Sequence, residues 1–155
     1  MKSEQLNEIA LAALERSAFV FAEAVDPDDR GSLPGCDAFA IVRVTGALLG
    51  ELHLGASNGF LRELAASLLG VEPEEVDPGT QGSDALLEMA NMIAGSVVVQ
   101  RDGENRACSL GLPALSTRRA FDAAFAGALR AIVSTNGEPL SIAWVEQAGA
   151  AREAA

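Results

Sequence analysis

Basic residues are scarce: 11 Lys and Arg stand against 22 Asp and Glu in 155 residues, a formal charge of -11 with a pI near 4.4. Affinity for nucleic acid comes from clustered cations that release counterions, whereas the arginines here are scattered apart from the pair Arg118 and Arg119. No nucleic-acid partner is expected. The same acidity repels an acidic protein at long range, so docking on one has to be local.

Long apolar runs are missing too, because Arg, Glu, Gly or Ser interrupts each of them before it approaches the roughly 20 residues of a membrane helix. The opening MKSEQLNEIA puts Ser, Glu, Gln and Asn where a secretory leader needs an apolar run. A cytoplasmic protein with no membrane partner is expected. Cysteine is limited to Cys36 and Cys108, with no C-x-x-C spacing, and histidine to His53. They read as two free thiols and one solvent-facing or satisfied imidazole, so a metal site, which needs several converging ligands, is not expected. The loop-like stretch DPDDRGSLPGCD (26–37) holds no phosphate-cradling pattern. No Ser, Cys or Thr is paired with a base at helical spacing and no metal-ligand cluster is evident, so acyl transfer or metal hydrolysis by this chain alone is not expected.

What remains fits a single domain over 1–155, with a core at about 4–146 and a frayed tail over 147–155, long enough to bury about 70% of the surface of its unfolded form. Residues 4–25 carry a helical apolar period ending at Asp26-Pro27, with Ser3 as N-cap. FAIVRVT and LLGELHL alternate as two strands of a hairpin with Gly46 in or near the turn and Glu51 and His53 on one face. Residues 58–69 form a helix capped by Ser57 or Asn58 and stopped by Gly70. VEPEEVDPGTQ is an acidic, Pro-rich connection, RDGENR a turn at Gly103, and ACSLGLPALS a strand ended by Pro113. STRRAFDAAFAGA has the helix-spaced pair Phe121 and Phe125. Two alternating runs flank Asn136-Gly137, the dipeptide of a type I′ hairpin, and Trp144 on the second run is expected in the core or an interface. The fold class is α/β (α+β): a mainly antiparallel sheet covered by amphipathic helices.

The informative stretch is Gly82 to Gln100, GSDALLEMANMIAGSVVVQ. Asp84, Glu88, Asn91 and Gly95 follow at spacings of four, three and four, a single stripe on a helix. Leu86, Met89, Ala90, Ile93 and Val97 fall on the other side. A helix needing only solubility would not place Asn and Gly in mid-span, where Gly costs roughly 1 kcal/mol against Ala. An outward Asn offers an amide donor and a carbonyl acceptor, and a Gly clears the approach. The stripe is therefore a docking face carrying a carboxylate and a carboxamide.

D-x3-E-x2-N-x3-G within LLEMANMIAGS resembles the signature helix of the CheX-like chemotaxis phosphatases of the CheC, CheX and FliY group, and the blocks GELHLGASNGFLRELAASLLGV and CSLGLPALS are similar to the segments around it. The resemblance covers about Ala38 to Val145. It implies a protein aspartyl-phosphate phosphatase, a hydrolase acting on a phosphorylated CheY-type response regulator, with Asn91 orienting the attacking water and Glu88 pairing with the regulator's active-site Lys. Asp84 and Gly95 would be supporting positions. No cofactor is bound by this chain; Mg2+ is expected on the regulator. A homodimer is also implied. The resemblance favours loop or strand over STRRAFDAAFAGA, against the Phe121 and Phe125 spacing. Glu4 and Asn7 repeat E-x-x-N, but Leu11 stands where the motif has Gly, so that pair is taken as chance. Two rivals stay open: a noncatalytic CheX-like module that binds or sequesters a regulator, and a purely structural homodimer.

Overall fold

Two hairpins build the middle of the sheet. In the computed structural model, which describes residues 1–102 and 107–147, β2 (Ala38–Gly46) turns into β3 (Gly50–Ala56), and β6 (Leu129–Thr135) turns into β7 (Glu138–Glu146). Asn136 and Gly137 have φ of 51° and 76°, the pair of positive values that a type I′ turn requires. β3 and β7 join the hairpins, with Leu52 opposite Trp144 and Leu54 opposite Ile142. β1 (Glu23–Val25) adds to the outside of β6, while β4 (Cys108–Leu110) and β5 (Ala114–Leu115) add to the outside of β2. The seven strands form one open antiparallel sheet in the order β1-β6-β7-β3-β2-β4, with β5 also on β2.

Strand alternation sends one set of side chains to each face. Val42, Val44, Leu52, Leu54, Val133, Leu140, Ile142 and Trp144 lie in the larger core, beneath α1 (Ser3–Ala18), α2 (Asn58–Leu69) and α3 (Ser83–Asp102). The reverse face carries Phe39, Ile132 and Ala143, packed with Phe121 and Phe125 of α4 (Arg118–Gly127) in a second cluster. Trp144 is a core residue, 3% exposed, with its indole N–H donating to Glu146 at 3.2 Å.

Helix α2 is capped as expected: the Ser57 hydroxyl accepts from the Phe60 amide, and Gly70 ends the helix at φ 70°. Helix α1 departs from expectation at both ends. Lys2, not Ser3, holds the N-cap position, and the helix stops at Ala18 because Phe19 is left-handed, with φ 54°. Residues 23–25, expected as the last turn, leave the helix to pair antiparallel with β6. STRRAFDAAFAGA resolves as helix, contrary to the loop or strand that the family resemblance favours. Thr117 caps it through the Ala120 amide, and Phe121 and Phe125 point together into the reverse-face cluster. The strand expected over ACSLGLPALS is interrupted at Gly111 to Pro113 and becomes β4 and β5. Glu51 and His53 share a face, with imidazole Nε2 3.0 Å from a Glu51 carboxylate oxygen. Imidazole Nδ1 is buried without a partner, so His53 is half satisfied. The expected turn at Gly103 and the tail from Ala148 lie outside the described residues.

Candidate functional site

Helix α3 is built to be held from one side and read from the other. The acidic connection ends in a π-helical turn, Pro78–Gly82, in which the Gly82 amide donates to the Asp77 carbonyl at 3.1 Å. The Asp77 carboxylate takes the Gly79 amide and the Thr80 hydroxyl, and the turn runs straight into α3 through a helical Ser83. Below, Leu86, Ala90, Ile93, Ala94 and Val97 are 0% exposed and Met89 1%. Truncating one such large side chain typically costs 2–5 kcal/mol, so the helix cannot roll without losing much of the core. The other face has no choice but to point outward.

That face carries Asp84, Glu88 and Asn91, all exposed, with Gly95 half-buried one turn further on. The structure thus brings all four predicted positions onto one stripe about 16 Å long. Among the described residues, the side chains of Asp84, Glu88 and Asn91 make no hydrogen bond or ion pair. A helix residue three positions on sits about 5–6 Å away between Cβ atoms, so the Glu88 carboxylate and the Asn91 carboxamide can address a single visiting group. At Gly95 an added Cβ would meet only Leu110 Cδ1, at 3.9 Å. The fold leaves that approach open.

Recesses flank both ends of the stripe. Asp84 and Glu88 border a small one of about 140 Å³ with Leu68 and Leu69 of α2. Gly95, Met92, Ser96 and Val99 border a larger one of about 570 Å³ against Ile9 and Ala12 of α1. Val99 is 57% exposed and was not singled out from sequence. It lies four residues beyond Gly95, about one helical turn further along the same side. At its C-terminal end α3 is tied to the sheet by a two-pronged ion pair, with Arg101 Nε and Nη2 donating to the Glu146 carboxylate at 2.7 and 2.6 Å. Those bonds hold the Glu146 carboxyl below its ordinary range and raise the Arg101 guanidinium. Glu4 and Asn7 stand elsewhere, bordering a recess with Asp26 and Arg130 near β1. Among the described residues, no three His, Cys, Asp or Glu side chains are grouped to hold a metal ion, and no helix is long and apolar enough to cross a membrane.

An open antiparallel sheet covered on one face by three helices, the longest bearing an outward carboxylate and carboxamide, defines a single α/β domain. The sequence matches the family model described as "Chemotaxis phosphatase CheX" over residues 38–135, a span that includes the first hairpin and all of α3. The chain belongs to the CheX chemotaxis phosphatase family. The fold is similar to that of CheX from Vibrio vulnificus, at TM-score 0.70 and 13% identity over 93% of this chain and 95% of that one. It is also similar to a chain of the CheX-CheY-BeF3-Mg+2 complex from Borrelia burgdorferi, at TM-score 0.68 and 18% identity over 94% and 97%. Thermotoga maritima FliY is a more distant neighbour, at TM-score 0.54 and 15% identity over 97% and 92%. Among curated proteins the chain has no significant match.

Proposed function

We propose that the chain hydrolyses the aspartyl phosphate of a CheY-type response regulator. The observation that carries this reading is that Glu88 and Asn91 stand outward and unpaired, one turn apart, on a helix fixed by its buried face. In this mechanism the Asn91 carboxamide orients a water for in-line attack on phosphorus. The phosphorus–oxygen bond to the regulator's Asp breaks, its carboxylate leaves, and inorganic phosphate is released. Phosphoryl transfer asks mainly for orientation and charge compensation, and a positioned carboxamide supplies the first. The Mg2+ on the regulator supplies the second, and no metal is required of this chain. Glu88 pairs with the regulator's active-site Lys, Asp84 supports that contact, and Gly95 lets the regulator backbone come close. Support comes from the family match and from the Borrelia burgdorferi neighbour, whose structure is a complex with CheY, BeF3 and Mg2+.

The test is phosphate release from a phosphorylated CheY-type regulator with catalytic amounts of this protein. The wild type should accelerate it, and Asn91→Ala should return the rate to the regulator's own. Glu88→Ala or Glu88→Lys should weaken docking as well as turnover. A wild type that binds the phosphorylated regulator but leaves its lifetime unchanged would establish the noncatalytic module instead. We also propose that two copies pair into a homodimer, through the sheet edge formed by β4 and β5.

A further inference from the structure

We propose that a cavity on the sheet face opposite α3, beneath the loop between β1 and β2, binds a small organic anion: an apolar group carrying a phosphate or a carboxylate. The cavity holds about 380 Å³, within the range of about 300–1,000 Å³ typical of small-molecule sites. Its floor is polar and sheltered. Ser141 is 2% exposed, and the Cys36 thiol lies 3.8 Å from its hydroxyl. One wall is aromatic, Phe39 and Phe121 with ring centroids 5.4 Å apart.

Two guanidinium groups border the opening. Arg118 donates one N–H to the Cys36 carbonyl at 2.5 Å and lies 5.1 Å from the Phe39 ring centroid; its remaining side-chain N–H groups make no other hydrogen bond among the described residues. The Arg30 guanidinium sits 4.9 Å over Phe125 and makes no side-chain hydrogen bond or ion pair among the described residues. Neither is bridged to a carboxylate among the described residues. Burial pushes the Cys36 thiol up, against the Ser141 hydrogen bond and the charges of Arg118 and Arg30, while the Asp37 charge acts in the same sense as burial.

The charge balance is the reverse of the rest of the molecule. The chain has twice as many acids as bases, yet of the side chains lining this cavity two are cationic and only Asp122 is acidic. Guanidinium forks with no carboxylate partner match the oxygens of carboxylate and phosphate, and the phenyl wall takes the apolar remainder. The site shares no residue with the α3 stripe.

Cys36 supplies a readout independent of regulator chemistry. Its alkylation by iodoacetamide would be timed with phenyl phosphate, benzoate, inorganic phosphate or phenol present, using Cys108 on β4 as internal reference. Phenyl phosphate or benzoate should slow labelling of Cys36 about tenfold at saturation, the stronger of the two naming the anionic head, with Cys108 unchanged. Arg30→Gln, which removes no hydrogen bond, should weaken that protection about tenfold, a loss in keeping with one charge-assisted contact, and adding Arg118→Gln should abolish it. Undiminished labelling with both organic anions would overturn the proposal, as would equal protection by phenol or full protection in the double variant.

Discussion

Gly95 decides more than its size suggests. Glycine in a helix interior costs about 1 kcal/mol against alanine, and nothing in the chain demands it here, since an added methyl group would find only ordinary contact with Leu110 at 3.9 Å. Gly95→Ala should therefore raise stability by up to about 1 kcal/mol, or about 2–4 °C in Tm for a chain of this size. If a regulator seats on the stripe, the same change should raise KM for the phosphorylated regulator more than it lowers kcat. A thermal melt and a regulator titration check the two halves, and a fall in Tm would show that the glycine serves the fold. The stripe was legible in sequence because poor helix formers at helical spacing have no packing reason to be there. His53 was legible only in part. Its pairing with Glu51 follows from alternation, but the burial of Nδ1 depends on neighbours that no local pattern encodes.

Helix α3 presents its stripe reproducibly only if both ends are held, and the Arg101–Glu146 clamp fixes the far end to β7. Both side chains are about one-third exposed, so solvent limits the pair to at most about 1 kcal/mol. Glu146 has its folded-state pKa depressed by the Arg101 hydrogen bonds. Its contribution is thus complete above the ordinary carboxylate range, about 4, and is lost as pH falls through the lower folded value. Arg101→Gln should cost up to that amount at pH 7, and the gap between wild type and variant should close on acidification below about pH 4. Urea melts at the two pH values measure it; a gap that persists in acid would point to packing by the arginine stem. Other elements were less evenly legible. The hairpin at Asn136-Gly137 and the caps at Ser57 and Gly70 follow from local chemistry. The end of α1 does not, because the strand that captures Glu23–Val25 is β6, more than a hundred residues away in sequence. Helix α4 was half legible: the Phe121 and Phe125 spacing pointed to it, and Phe39 and Ile132 on the sheet give that face its burial.

At the scale of the whole molecule, the sheet has two open edges, and they are not equivalent. Beyond β2, the short strands β4 and β5 enclose Gly111 to Pro113; Leu112 there is 91% exposed, and Leu115 on β5 is 56% exposed. The β1 edge is three residues long, with Glu23 exposed on it. A contiguous apolar edge is the sort of surface that association covers, whereas a charged short edge discourages pairing. Each copy carries a formal charge of -11, so two copies repel, and a contact that held the proposed pair together would have to be apolar. This fixes the sign of the salt effect. Screening over a Debye length of about 10 Å at 0.1 M should tighten the pair, where an ion-paired interface would loosen. Leu112→Asp with Leu115→Asp should give a monomer by light scattering with an unchanged circular dichroism spectrum, because both side chains are already outside the core. Phe19→Asp, near the β1 edge, should leave the mass at that of two copies. A monomeric wild type at every salt concentration would remove the homodimer, and a mass that responds to Phe19 but not to the leucines would move the contact to the opposite edge.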